Sequence, residues 1–84
     1  MTYSVEWSPK AKQRLSKLEK KMIKRIISKV ENIKDNPFRY LKKLTNDRRF
    51  RLRVGDYRVL ITVSQSEKMV KVLTVGHRKY IYKK

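Results

Sequence analysis

The hydrophobic positions near the start of the chain change from a period of two to a period of three or four. Tyr3, Val5 and Trp7 alternate with polar residues, which predicts a strand with one buried face. Ser8 and Pro9 then form a helix start, because a serine hydroxyl can cap free backbone N–H groups and proline lacks only a donor that the first turn leaves unused. We therefore predict a first strand that leads directly into a helix.

A helical pattern of apolar residues follows and ends at the sequence Asp35-Asn36-Pro37. Its members recur at spacings of mostly three or four, with basic side chains on the other side: Ala11, Leu15, Leu18, Met22, Ile26, Ile27, Val30 and Ile33. If the pattern formed a single helix from Pro9 to the residues before Asp35, that helix would be long for a domain of 84 residues. We therefore predict a break between Leu18 and Lys21, which makes an antiparallel helix hairpin.

The second half of the chain is predicted to contain a connector followed by three strands. The segment FRYLKKLTNDRR, residues 38–49, is predicted to be a connector in which Phe38, Leu41 and Leu44 form at most one helical turn. Three strand-like runs follow, FRLRV (50–54), YRVLITV (57–63) and MVKVLTV (69–75), and they predict an antiparallel meander. The predicted fold class is α+β, in the order β-α-α-β-β-β, as a single domain over residues 1–84. We expect its core to contain Trp7, Leu15, Ile26, Leu52, Val59 and Val72.

Gly55 and Asp56 predict the register of the first two strands of the meander. A two-residue loop with glycine first is typical of a type II′ turn. The core face then pairs Val54 with Tyr57, Leu52 with Val59, and Phe50 with Ile61. The opposite face carries Arg53 directly across from Arg58, with Arg51 and Arg49 farther along the same strand.

This concentration of arginine has two interpretations. Like charges placed opposite each other on a sheet repel, so the cluster suggests that an anion binds over it. Phosphate fits because its oxygens match the guanidinium fork. Alternatively, the arginines are solvated charges that prevent pairing at a sheet edge and need no ligand.

Composition favours an anionic partner. Lysine and arginine number 24 against 7 acidic residues, for a formal net charge of +17, and such a chain is expected to bind nucleic acid or a strongly acidic protein. The absence of cysteine excludes disulfides and thiolate zinc sites. No apolar run approaches the roughly 20 residues of a membrane span, and no signal-type segment is apparent. We therefore expect a cytoplasmic protein that needs neither a membrane nor a cofactor.

Basic and aromatic residues alternate near the end of the chain, at His77, Arg78, Lys79, Tyr80 and Tyr82. Arginine binds phosphate and aromatic rings stack on unpaired bases, a combination used on single-stranded nucleic acid. A frayed basic tail would have the same composition, and Ile81 with one tyrosine could simply cover the edge of the sheet. His77 alone cannot form a metal site, because such sites require several ligands.

The sequences FRLRVGDYRVLITV and VGHRKYIY, together with the predicted element order, resemble the RelE/ParE superfamily of toxins from type II toxin–antitoxin systems. The resemblance spans essentially the whole chain. It implies a microbial-ribonuclease-like fold, with two N-terminal helices packed on a curved antiparallel sheet. For nuclease members it implies cleavage of mRNA in the ribosomal decoding site, which inhibits translation. The implied partners are an acidic RelB-like antitoxin, the ribosome and mRNA, and the toxin alone is expected to be monomeric.

RelE-like members carry basic residues before the glycine turn, an arginine after it, an arginine after the last strand, and an aromatic residue in the tail. By this resemblance the catalytic residues are Arg51, Arg58, Arg78 and Tyr82, and Arg49 holds another of the basic strand positions. From the arginine cluster and from the alternation of basic and aromatic residues, we expect Arg53, His77, Lys79 and Tyr80 to bind RNA together with Arg49. ParE-like members, which act on DNA gyrase, generally lack the full set, so the RelE-like activity is favoured. A gyrase-directed toxin and a catalytically silent interaction module remain the alternatives.

The expected chemistry needs no metal, because the 2′-hydroxyl of RNA can attack the adjacent phosphate while fixed positive groups stabilise the transition state. The family often has lysines at the strand positions, one of them proposed as the general base. This chain has arginines there, and arginine is effectively always protonated. The general base is therefore left unassigned, with His77, ribosomal RNA and the codon as candidates.

Overall fold

A computed structural model describes residues 2–43 and 48–77. These residues contain eight elements: β1 (Ser4–Trp7), α1 (Pro9–Ser16), α2 (Lys20–Ile33), α3 (Pro37–Tyr40), β2 (Lys42–Lys43), β3 (Phe50–Val54), β4 (Tyr57–Ser64) and β5 (Met69–His77). The predicted α+β class is confirmed. The segment predicted as a connector contributes the single helical turn of α3 and also the short strand β2, which the sequence pattern did not reveal. Of the residues predicted for this turn, Phe38 lies in α3, Leu41 follows it in an extended conformation, and Leu44 lies outside the described residues.

Ser8 joins the first helix to the sheet. Its hydroxyl accepts a hydrogen bond from the backbone N–H of Ala11 at 3.0 Å and donates one to the carbonyl of Leu73 at 2.7 Å. Its backbone N–H donates to the carbonyl of Val72 at 2.9 Å. Ser8 is therefore the N-cap that the sequence predicts, with Pro9 in the first turn, and it also attaches the start of α1 to β5.

The predicted break between the helices is confirmed, because α1 ends at Ser16 and α2 begins at Lys20. The buried residues of α1 are Ala11 and Leu15, and those of α2 are Ile26, Val30 and Ile33. Ile27, which the apolar pattern also included, is 39% exposed. A rotation of about 100° per residue places it beside the buried stripe that contains Ile26.

The sheet has the strand order β1-β5-β4-β3-β2. Neighbouring strands are antiparallel except for β1 and β5, which are parallel, so the sheet is mixed and the expectation of a wholly antiparallel sheet was wrong in this respect. The parallel pair is possible because the chain between them includes both long helices, and parallel strands require a long connection. β1 thereby occupies the edge of β5 that the meander leaves unpaired.

The core lies between the helices and one face of the sheet. Its strand residues include Leu52 and Val54 of β3, Val59 and Ile61 of β4, and Val70, Val72 and Val75 of β5. Trp7 packs against this core but is only partly buried, because β1 is an edge strand. Five of the six predicted core residues are therefore buried, and Trp7 lies at the margin. Within the described residues, no helix has the length and apolar character to cross a membrane.

Candidate nucleic-acid interface

The hairpin between β3 and β4 has the predicted turn and register. Gly55 has a φ of +59°, and Asp56 does not have a positive φ, which fits a type II′ turn. The paired residues are Phe50 with Ile61, Leu52 with Val59, and Val54 with Tyr57 on the core side. Because side chains alternate along each strand, Arg51, Arg53 and Arg58 lie on the outer face, which faces away from the helices. We call these three residues and the surface that they share the arginine face.

Arg53 and Arg58 are directly opposite each other, so their Cβ atoms are about 5 Å apart. Arg53 is exposed, whereas Arg51 and Arg58 are partly buried. The Arg58 Nη1 donates to the carbonyl of Tyr57 at 3.3 Å, and a guanidinium group has further donors. Among the described residues, no carboxylate forms an ion pair with any of the three arginines. Their positive charges are therefore concentrated on adjoining strands without a described acidic partner.

The arginine face adjoins two buried residues on the outer side of the sheet. Leu60 is 2% exposed and Thr74 is 8% exposed, although both lie on the outer side of the sheet. One row across the strands contains Arg51, Leu60 and Thr74, and the next contains Arg53, Arg58 and Gly76. The Thr74 Oγ1 atom is buried, and among the described residues it has no hydrogen-bond partner. The outer side of the sheet beside the arginines therefore differs from a flat, solvated surface.

A β-bulge places Thr74 on this side. Leu60 pairs with Thr74 but Ile61 pairs with Val72, so Leu73 is an additional residue in β5. Strict alternation from Val72 would turn Thr74 toward the helices. The bulge reverses the alternation, and the hydroxyl of Ser8 binds the carbonyl of Leu73 at this point. For this reason the sequence pattern did not predict that Thr74 lies on the outer side of the sheet. The signal for it in the sequence is a threonine between apolar residues at the point where the alternation of the strand is interrupted.

The structure places His77 away from the arginine face. His77 pairs with Tyr57 at the end of β5, and the two rings are in edge-to-face contact, with centroids 5.6 Å apart. Tyr57 lies on the core side, so the imidazole is on the helix side of the sheet. There it lines a groove of about 530 Å³ whose wall includes Arg14 and Lys17. The structure therefore does not bring His77 together with Arg58.

The remaining candidate residues lie near or beyond the described strands. Arg49 directly precedes β3 and is partly buried. The others lie outside the described residues: Arg78, Lys79, Tyr80 and Tyr82. The predictions for these four tail residues stay predictions.

The chemistry that the arginine face can perform follows from its composition. Three guanidinium groups can bind phosphate oxygens and stabilise additional negative charge. The two rows that contain the arginines hold no carboxylate or imidazole among their described members in β3, β4 and β5. Likewise, the described residues contain no cluster of histidine, aspartate or glutamate that could hold a metal ion. These strands can therefore bind and stabilise an anion but do not identify a proton acceptor.

Comparisons with known proteins agree with this architecture. Residues 5–82 match the family described as the ParE toxin of the type II toxin–antitoxin system parDE. The chain is 38% identical over 88 residues to the RelE4 protein of Methanocaldococcus jannaschii, covering 98% of this chain and 93% of that protein.

Solved structures of RelE-type toxins have the same fold as this chain. A chain of the RelBE2 toxin–antitoxin complex of Mycobacterium tuberculosis superposes with a TM-score of 0.85 and 26% identity, covering 93% of this chain and all of that one. A chain of the RelE–RelB complex of Pyrococcus horikoshii gives 0.78 and 26% identity, covering 95% and 99% of the two chains. A mutant of E. coli RelE in the free state, with two arginines replaced by alanine, shares the fold, with a TM-score of 0.82, 19% identity, and coverage of 96% and 88%. The chain therefore belongs to the RelE/ParE family of toxins of type II toxin–antitoxin systems, and it is RelE-like.

Proposed function

We propose that this toxin is an endoribonuclease that cleaves mRNA on the ribosome and so inhibits translation. The observation that carries the proposal is the arginine face, where three guanidinium groups without a described carboxylate partner lie on adjoining strands. A surface of this kind is electrostatically unfavourable unless an anion neutralises it. The phosphodiester backbone of RNA supplies such an anion, and the net charge of +17 favours its approach.

In the proposed reaction, the 2′-hydroxyl of the RNA attacks the adjacent phosphorus and the bond to the 5′-oxygen breaks. The products are a 2′,3′-cyclic phosphate, or its opened form, and a 5′-hydroxyl. Arg51 and Arg58 stabilise the charge of the pentacoordinate phosphate, and Arg78 joins them from the tail. Tyr82 stacks on a base and aligns the backbone for attack, and Arg49, Arg53, Lys79 and Tyr80 bind neighbouring RNA.

His77 is not assigned a role in proton transfer, because its ring contacts Tyr57 on the other side of the sheet. The proton acceptor comes from the tail or from the ribosome–mRNA complex. This assignment agrees with the composition of the arginine face, which binds charge and contributes no described base.

A RelB-like antitoxin is the proposed protein partner. Structures with 26% identity to this chain are complexes with RelB-type antitoxins in M. tuberculosis, P. horikoshii and Methanococcus jannaschii. An acidic antitoxin segment would neutralise the basic surface and associate rapidly with it. We propose that the toxin acts in the cytoplasm as a monomer once the antitoxin is removed.

The second candidate is a toxin that acts on DNA gyrase without cleaving RNA, and the match to the ParE family favours it. Primer extension on mRNA from cells that express the toxin separates the two functions. New cuts within reading frames, with no accumulation of gyrase-linked DNA breaks, are the expected result. Gyrase-linked DNA breaks without mRNA cuts would overturn the proposal in favour of the second candidate. The absence of both would indicate a silent interaction module.

A further inference from the structure

Thr74 is an anomaly of the arginine face. Its hydroxyl is buried, with the whole residue 8% exposed, yet Oγ1 has no hydrogen-bond partner within the part of the chain that the structure describes. Most buried polar side-chain atoms in proteins do have one. Valine has nearly the same shape, a high strand propensity and no hydroxyl to leave unsatisfied. The fold alone therefore gives no reason for threonine at this position.

The position of Thr74 suggests what the hydroxyl binds. It is in the same cross-strand row as Arg51, and it is the diagonal neighbour of Arg58, whose direct partner in β5 is Gly76. Diagonal neighbours have Cα atoms about 7–8 Å apart, which is within reach of a long side chain. Gly76 has no side chain to occupy the space beside Arg58. An oxyanion held by these two arginines would therefore lie above Thr74.

The β-bulge in β5 places Thr74 on the outer side of the sheet. Leu73 is the additional residue, and without it Thr74 would point toward the helices. The Ser8 hydroxyl binds the carbonyl of Leu73 and so supports the bulge from α1. Bulges of this kind are frequent beside active sites, where they redirect a side chain.

We propose that the Thr74 hydroxyl is a further RNA contact of this toxin and donates a hydrogen bond to an oxygen of the phosphodiester held by Arg51 and Arg58. The hydroxyl is buried in the free protein, so the proposal requires that it is uncovered when the RNA binds. Thr74 then fixes the position of the phosphate relative to the sheet. The inference rests on the proposed function, since it requires RNA on the arginine face.

The test uses the change Thr74→Val, which removes the hydroxyl and keeps the shape. A matched control is Thr62→Val, because Thr62 lies on the same outer face of β4, one row beyond Leu60, and is partly exposed. Thr74→Ser restores a hydroxyl, and Arg58→Ala reports on the arginine face itself. Binding is measured by fluorescence anisotropy with a labelled single-stranded RNA whose riboses are 2′-O-methylated, which prevents cleavage. Melting temperature is measured for each variant.

We expect Thr74→Val to bind the RNA about tenfold more weakly, since a hydrogen bond to a charged group is lost. Its melting temperature should equal or exceed that of the parent, because an unsatisfied buried hydroxyl has been removed. Thr74→Ser and Thr62→Val should bind within threefold of the parent. A purely structural hydroxyl would give the opposite pattern, with a lower melting temperature and unchanged binding.

Two results overturn the inference while the proposed function stands. One is a change in affinity below threefold for Thr74→Val when Arg58→Ala weakens binding strongly. The other is a fall of more than about 4 °C in the melting temperature of Thr74→Val, which would show that the hydroxyl has a partner in the free fold. If the parent protein and Arg58→Ala show the same affinity for RNA, the proposed function itself fails, and the inference about Thr74 fails with it.

Discussion

The hydroxyl of Ser8 performs two structural tasks at once, so Ser8→Ala should destabilise the domain more than an ordinary surface change. The substitution removes the N-cap bond to the N–H of Ala11, at 3.0 Å, and the bond to the carbonyl of Leu73, at 2.7 Å. Loss of an N-cap costs about 0.5–2 kcal/mol. A partly buried carbonyl that loses its partner costs about 1–3 kcal/mol. Because both losses occur at one site, we expect a total of about 2–3 kcal/mol.

The assay is urea denaturation, supported by thermal melting. In a domain of this size 1 kcal/mol corresponds to about 4–8 °C, so the melting temperature should fall by roughly 10–20 °C. Ser16→Ala is the matched control, because its hydroxyl donates to the carbonyl of Gln13 at 2.7 Å in an exposed position of the same helix. It should change stability by less than about 0.5 kcal/mol. If Ser8→Ala were equally mild, the argument that Ser8 links α1 to the β5 bulge would be refuted.

Three further predictions follow from the turn and from the charge. Gly55→Ala should destabilise the domain by about 1–2 kcal/mol, because the φ of residue 55 is +59° and the new Cβ would lie 3.4 Å from Arg25 Nη1. Urea denaturation measures this change, and an unchanged midpoint would contradict the turn assignment. The logarithm of the association constant for RNA should fall linearly with the logarithm of the salt concentration, and the slope should reflect the number of phosphates that the toxin contacts. A constant affinity across salt concentrations would contradict phosphate binding. The antitoxin segment that covers the toxin should carry net negative charge, which sequencing of the neighbouring reading frame tests; a net positive segment would oppose the electrostatic argument.

The arginine hairpin could be predicted from the sequence because its signals are local. Gly55 followed by Asp56 determines a two-residue turn, and the turn determines which residues are opposite each other. The pairing of Arg53 with Arg58 then follows without any knowledge of the rest of the fold. The capped start of α1 at Ser8 was predictable for the same reason, since the cap and the first turn are adjacent in the chain.

The remaining features depend on contacts between distant parts of the chain. β1 pairs with β5 in parallel, and no local pattern specifies which edge a lone first strand will join. In the described residues β2 consists of Lys42 and Lys43, which are too few to show a period of two. The bulge at Leu73 depends on long-range pairing with β4, and its carbonyl binds Ser8, 65 positions away in the chain. Thr74 could not be assigned to the arginine face until this bulge was known.

The most direct test of the proposed function is the cleavage of ribosome-bound mRNA by purified Arg58→Ala toxin, compared with the parent. Arg14→Ala is the matched control, because it removes the same charge from an exposed position on α1. Loss of one preorganised donor costs about 10²–10³ in rate, so Arg58→Ala should cleave at least a hundredfold more slowly while Arg14→Ala cleaves at nearly the parental rate. Arg58→Ala should melt at or slightly above the parental temperature, since it relieves the repulsion from Arg53. A folded Arg58→Ala toxin that cleaves mRNA at the parental rate would contradict the assignment of the arginine face as the catalytic surface.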